Sequence, residues 1–351
     1  MFESIVGQDL AVEQMSRALK RPVNTYVFYG SRGTFVEESA RIFASRLIES
    51  SGELDERISK KLFADVIEFV PMGTNYRIKE DVRGSMLQEF RKSPVEGVGK
   101  VLIVHDAHLL REDSANTLLK SLEETSENLY WILIAPSPDL LISTIRSRSY
   151  EIEFDRLHAD VVESILLSEG IRAEKAKDIS NNCSGRIDRA ILLANFFSPL
   201  KKCAVEVVSK ISNSGSSIST SAQQIVDTFD EIASDIVAQN KTELSEIKST
   251  MKDSGYSDKV AKSIVSTSKT RLEAGEKRLR HELLLEFLDV LGQEYAKTLS
   301  SNSGGIEAQN SALAFETIND YKKRLVYNPS ELLFLESLLA SIETSKLKVN
   351  S

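Results

Sequence analysis

The stretch Tyr26-Val-Phe-Tyr-Gly30-Ser-Arg-Gly33-Thr-Phe35-Val36-Glu37 decides the fold. Residues 25–29 are β-branched or aromatic, the composition of a half-buried or buried strand, and the run breaks at Gly30. From residue 37 to 49, Ala40, Ile42, Phe43, Leu47 and Ile48 fall on one helical face. Strand, glycine turn and helix therefore follow one another. The same alternation continues outward. Residues 65–70 and 100–104 are short apolar runs of the kind buried in a parallel sheet. Residues 113–124 carry a helical stripe of Ala115, Leu118, Leu119 and Leu122, with Asp113 placed to act as its N-cap. Residues 130–135 and 150–154 are two further strands. This order predicts a doubly wound parallel α/β domain over residues 1–155.

After residue 155 the period changes to that of helices. Residues 161–168, 174–181 and 186–195 read as three short helices in a small lid-like domain, 156–211. The serine-rich stretch 212–221 reads as a linker or mobile loop. A charged, helical C-terminal domain, 212–351, follows. Its clearest helix spans 279–291, with Leu283, Leu284, Phe287, Leu288 and Leu291 on one face. Residues 300–305 read as a second loop, and 312–325 and 329–344 as closing helices.

The 351 residues suffice for two or three domains, and 41% apolar with 27% charged residues is ordinary for a soluble globular protein. The net charge of -8 argues against a free-standing nucleic-acid binder, which carries a basic stripe to release phosphate counterions. There is no run of about 18 apolar residues to span a membrane, and the N-terminus lacks the basic-then-apolar pattern of a secretory signal. With only Cys183 and Cys203, the sequence defines no metal framework, and a reducing cytoplasm is the expected location.

Strand, glycine turn and helix are also the setting of a phosphate-binding loop, in which backbone N–H groups and a helix N-terminus cradle phosphates. A working loop reads G-x-x-x-x-G-K-[ST], with Lys on the β/γ-phosphates and the hydroxyl on magnesium. Gly30 keeps the first glycine and Gly33 lies within the loop, but Phe35, Val36 and Glu37 occupy the glycine, lysine and hydroxyl positions. Bulk, loss of a cation and an added carboxylate each act against a bound triphosphate. An ordinary strand-to-helix turn is the plain alternative for this segment. Further on, an apolar strand ends in His105-Asp106, where a Walker B site has its metal-binding Asp followed by a Glu. Histidine is a poor ligand for hard magnesium, and Asp106 is one methylene shorter than the usual base. His105 and His108 lack further ligands nearby in sequence, so no zinc site is expected. Two arginines, Arg146 and Arg148, stand just before the last strand, in Thr144-Ile-Arg-Ser-Arg148.

Together these segments resemble the clamp-loader branch of the AAA+ ATPases. The opening Ile5-Val-Gly7-Gln8, the 113–124 helix (similar to A-N-x-L-L-K-x-L-E-E) and the T-I-R-S-R run carry the resemblance; Ser149 stands where the family normally has Cys. Residues 184–190 resemble the lid segment with a sensor arginine, which falls on Arg189. Beyond the lid the likeness is one of general character, and it implies that residues 212–351 form a collar domain through which subunits assemble. Active gamma/tau subunits keep the full loop and acidic pair, whereas delta-prime subunits of bacterial DNA polymerase III have usually lost them. The resemblance thus implies a delta-prime-like chain that binds no nucleotide of its own. It further implies that Arg148 reaches in trans, as an arginine finger, to ATP held by a neighbouring gamma/tau subunit. The implied partners are gamma/tau and delta, with the sliding clamp and primed DNA met through the complex and no membrane. No cofactor is expected. Many relatives carry a four-cysteine zinc module between the first helix and second strand; residues 50–61 contain no cysteine, so no zinc and a shortened helical insert are expected. Two rivals stay open: an active ATPase of the same fold, and an AAA+-fold adaptor outside replication.

Overall fold

The computed structural model describes residues 2–49, 57–58, 63–71, 75–123, 128–212, 217–253, 256–301, 306–325 and 330–349. Among them, β1 (Thr25–Gly30), β2 (Val66–Phe69), β3 (Lys100–Val104), β4 (Leu129–Ala135) and β5 (Tyr150–Phe154) pair in parallel in the order β2-β3-β4-β1-β5. β1 therefore lies inside the sheet, with Tyr26 opposite both Ile132 of β4 and Tyr150 of β5. Successive side chains leave opposite faces of a strand, and here both sets are apolar. Tyr26, Phe28, Val101, Ile103, Ile132 and Ile152 pack with α1 (Asp9–Lys20) and α2 (Val36–Ile48). Phe43 of α2 closes that face with ring contacts to Tyr26 at 4.8 Å and Phe28 at 5.5 Å.

On the other face lie Val27, Leu102, Val104, Trp131 and Leu133. They are covered by π-helical turns over Ile78–Met86, by the short α3 (Leu87–Phe90) and by α4 (Glu112–Glu123). Phe90 stacks on Trp131 at 5.9 Å. Burial on both faces explains why β3 and β4 read as continuous apolar runs rather than alternating ones. The expected doubly wound α/β domain with helices after it is what the chain forms. A single turn, α5 (Ser143–Arg146), precedes β5. Then come α6 (Ala159–Ser168), α7 (Ala173–Asn182) and α8 (Ile187–Ser212), followed by α9 (Ile218–Asp253), α10 (Asp258–Ser301), α11 (Ile306–Arg324) and α12 (Glu331–Val349).

Several elements differ from the sequence expectation. Asp113 is not the N-cap of its helix: α4 already begins at Glu112, and the Asp113 carboxylate accepts from the Ser114 N–H at 2.8 Å inside the first turn. α8 does not stop at residue 195 but runs to Ser212 through Pro199, because Leu200, Cys203, Ala204, Val207 and Ile211 continue the buried stripe. Residues 218–221 have the serine-rich composition of a linker but are helical. Ile218, Ala222, Ile225 and Phe229 recur at helical spacing, so α9 starts at Ile218 and Ser221 is buried. Residues 213–216 and 302–305, and most of the expected insert at 50–61, lie outside the described residues.

The chain divides into two compact units, residues 1–194 with 243–274, and residues 195–242 with 275–351. The second is purely helical among its described residues. Phe229 meets Phe287 edge-on at 5.8 Å, and Tyr321 meets Phe334 at 5.5 Å. The Tyr321 hydroxyl bonds the Ser337 carbonyl and the hydroxyls of Ser337 and Ser341. Arg280 joins Asp230 of α9 to Glu331 of α12, the latter at 2.7 Å. Among the described residues no helix is long and apolar enough to cross a membrane.

Candidate nucleotide site and the arginine edge

β1 ends at Gly30, where a Cβ would lie 2.4 Å from the Phe154 carbonyl oxygen of the neighbouring strand, so only glycine fits. At Gly33 the chain turns with φ +69°, and a Cβ would fall 2.0 Å from Asp188 Oδ1. Asp188 belongs to the first turn of α8, and the adjacent Ile187 N–H donates to the Gly33 carbonyl at 2.9 Å. The start of α8 thus sits directly on the loop. Phe35 adopts φ +66°, ψ 13°, a left-handed conformation costly for a bulky residue. The backbone keeps the turn that glycine serves in a working loop, and the Phe35 ring recovers stability by packing against the core. Val36 opens α2 and is buried in that core. From the far side the buried Gln8 amide donates to the carbonyls of Thr34 (3.1 Å) and Asp155 (2.7 Å) and accepts from the Asp155 N–H (3.1 Å). Loop and chain end are stitched together.

Glu37 and His105 take part in a cluster that includes two residues the sequence reading missed, Arg41 and Glu68. Arg41, one turn after Glu37 on α2, donates from Nε and Nη2 to Glu68 at 2.8 and 3.1 Å, and its Nη2 lies 3.7 Å from Glu37. Glu68, near the end of β2, also meets His105 Nε2 at 2.8 Å. His105 Nδ1 stands 3.8 Å from Glu37, within charge contact but too long for a hydrogen bond. Side-chain exposure is 12% at Arg41, 6% at Glu68 and 3% at His105, so the charges meet in low dielectric. Burial alone would push both cations toward their neutral forms. Glu68 outweighs burial at Arg41, and Glu37 with Glu68 outweighs it at His105, so both pKa values are raised. The available signals were the Glu37–Arg41 spacing of four residues and a lone carboxylate inside Val66–Phe69. The partner of that carboxylate comes from other elements, which is why it escaped notice.

Linkage fixes the sign of a pH effect. A histidine whose folded pKa is raised contributes stability below its unfolded value near 6.5, and loses that contribution as pH rises through the folded value. Comparing wild type with His105→Asn cancels the other titrating groups. The difference in Tm between the two is expected to be largest at pH 6 and to narrow as pH is raised toward 9. A pH-independent difference would show that His105 is not held charged.

Asp106 is left-handed at φ +49°, and its carboxylate is paired with Arg32 of the loop at 2.5 Å. A second ion pair therefore spans the mouth between the β1 and β3 ends. His108 lies beside it; burial, with Arg32 adding to it against Asp106, lowers its pKa. Arg189 is half-buried in the first turn of α8, and its N–H donates to Asp188 Oδ1 at 2.8 Å.

Arg146 and Arg148 stand elsewhere. Both precede β5, whereas the glycine loop follows β1, and the two strands are parallel with Tyr26 opposite Tyr150 and Gly30 opposite Phe154. The arginines thus lie at one end of the sheet and the loop at the other, about 13 Å of strand rise apart. Arg146 is held by Asp139 at 2.7 Å and Glu151 at 3.2 Å. Arg148 is 41% exposed; it pairs with Glu123 at the end of α4 at 2.5 Å and donates to the Thr144 carbonyl at 3.0 Å. A guanidinium so placed cannot turn back to its own loop, but it is open to a neighbouring molecule.

The family described as "DNA polymerase III, delta subunit" matches residues 7–158. Over 174 residues the chain is 31% identical to the tau subunit of DNA polymerase III of Bacillus subtilis, covering 46% of this chain and 30% of that one. It is 28% identical over 166 residues to the delta' subunit of the same organism, covering 45% and 50% respectively. A tau subunit of Escherichia coli matches at 29% identity over 188 residues, covering 49% and 29%. The chain thus spans half or less of each of these three relatives. A gamma-subunit-related protein of Thermotoga maritima superimposes with a TM-score of 0.45 at 17% identity, over 96% of this chain and 99% of that one.

Proposed function

We propose that this chain, a clamp-loader family member by its N-terminal region, is the delta-prime-type subunit of a DNA polymerase III clamp loader and hydrolyses no ATP itself. It would assemble with gamma/tau and delta subunits, help place the sliding clamp on primed DNA, and present Arg148 to ATP held by a neighbour. One observation supports this most: the positions for the lysine, the hydroxyl and the metal-binding acid hold Val36, Glu37 and His105. Val36 faces the core, while the other two are tied into the Arg41–Glu68 cluster. A triphosphate with magnesium would meet no lysine at the loop's end, and it would have to displace a carboxylate. Arg148 at the opposite end of β5 supports action in trans. A fixed guanidinium can neutralise charge developing on the γ-phosphoryl oxygens of ATP bound next door.

The direct test is thermal unfolding of the isolated chain with and without ATP–Mg. A ligand at 100 times its Kd stabilises by about 2.7 kcal/mol, which for a domain of this size is a rise of roughly 5–10 °C. ATP–Mg at about 5 mM is expected to leave Tm unchanged. An ATP-specific rise of that size would instead favour an active ATPase of the same fold. Copurification from the source cell separates the remaining rival: recovery of gamma/tau and delta fits the proposal, and their reproducible absence favours an adaptor outside replication.

A further inference from the structure

The Arg148 guanidinium is held from two directions. From its own turn, Nη1 donates to the Thr144 carbonyl at 3.0 Å and to the Ser147 hydroxyl at 3.2 Å. The Ser147 hydroxyl spends its own proton on the same Thr144 carbonyl at 3.2 Å, so its lone pairs face the arginine. From a different element, the Glu123 carboxylate meets Nε at 2.5 Å. A guanidinium offers one N–H at Nε and two at each Nη. Nη1 therefore has its two acceptors and Nε faces a carboxylate, whereas Nη2 makes no hydrogen bond among the described residues. One corner of the planar fork stays open, on a side chain that is 41% exposed.

Nothing in α4 itself calls for Glu123. It is the last residue of that helix, where the macrodipole presents its negative end and disfavours an acid. Lys120 in the same turn suits the dipole; Glu123 opposes it. Its side chain is about half exposed, so packing does not require it either. Among the described residues its one ion pair is with Arg148. For a finger such a contact has a use that stability does not register. A long surface side chain samples many rotamers, and ordering it during the reaction costs rate that prior ordering saves.

We propose that Glu123 is a positioning residue for Arg148. With the Thr144 carbonyl and the Ser147 hydroxyl it fixes the plane of the guanidinium, so that Nη2 is the corner offered to ATP on a neighbouring subunit. Glu123 touches no phosphate and acts only through the arginine. The inference rests on the reading of Arg148 as a finger in trans.

A double-mutant cycle on the clamp- and DNA-stimulated ATPase of the reconstituted complex tests it, with Glu123→Ala, Arg148→Ala and both together. The turnover that Arg148→Ala removes is the share owed to this finger. Glu123→Ala is expected to lower that share about tenfold. KM for ATP should not change, because the neighbour holds the nucleotide and the arginine meets charge that develops in the reaction. Added to Arg148→Ala, Glu123→Ala should change nothing further. The Tm of the isolated chain should stay within about 3 °C of wild type in every variant, since an exposed pair contributes little. Full turnover in Glu123→Ala beside a defective Arg148→Ala would overturn the inference and leave the finger standing. So would a further loss in the double variant, or an effect confined to KM. Full turnover in Arg148→Ala would remove the finger and its positioning residue together, so the two failures are told apart.

Discussion

Under the proposed role, Arg148→Ala is expected to leave folding and assembly intact and to abolish most ATP turnover at the neighbouring interface. Its pair with Glu123 is largely exposed, and exposed pairs contribute only about 0–1 kcal/mol, so stability should barely change. Arginine fingers elsewhere supply roughly 10³–10⁵ in rate. Clamp- and DNA-stimulated ATPase of the reconstituted complex should therefore fall to what the other interfaces sustain, with clamp loading reduced in step. Arg148→Lys should not restore the rate, because an ammonium lacks the planar fork that meets two phosphoryl oxygens at once. Arg146, clamped between Asp139 and Glu151, should behave as a support for the turn before β5. Unchanged turnover and loading in Arg148→Ala would remove this residue from the mechanism.

The second large effect concerns stability. Glu68→Ala takes away the carboxylate shared by Arg41 and His105 and leaves the two buried cationic groups with the more distant Glu37, at 3.7 and 3.8 Å. Breaking a buried pair from one side costs about 3–5 kcal/mol, because the remaining charge has lost water as well as partner. The unfolding transition of the α/β unit should drop by roughly 10 °C, read by urea or heat on the intact chain. Replacing Arg41, Glu68 and His105 together by leucine should recover most of that loss, since an apolar set of similar volume needs no compensation. A loss below about 1 kcal/mol for Glu68→Ala would mean that water screens the cluster and that its geometry matters little.

The sheet was legible in the sequence because both faces of each inner strand are apolar and every turn out of them is marked. The strand ends were placed within a residue or two at β1, β3, β4 and β5. Helix extents were less legible. α8 continues through Pro199, a residue that usually stops helices, because its buried stripe continues on both sides. The substitutions at Phe35, Val36, Glu37 and His105 could be read from a motif. Where their side chains go could not. Arg41–Glu68 and Gly33–Asp188 join segments 27 and 155 positions apart, and only the folded chain brings them together. The arginines before β5 carried a positional signal of another kind. In a parallel sheet, whatever enters a strand lies opposite whatever leaves its neighbour.

The charged cluster beneath α2 also bears on whether phosphate-loop chemistry could be installed here by local substitution. Putting Gly, Lys and Thr at positions 35, 36 and 37 would drive an ammonium into the space Val36 fills and strip His105 and Arg41 of a counter-charge. The Asp188 carboxylate would still crowd Gly33. Each step is costly until the others are in place, the signature of strongly coupled sites. A chain in this condition sits behind a barrier several substitutions wide, and gradual change has no easy path across it.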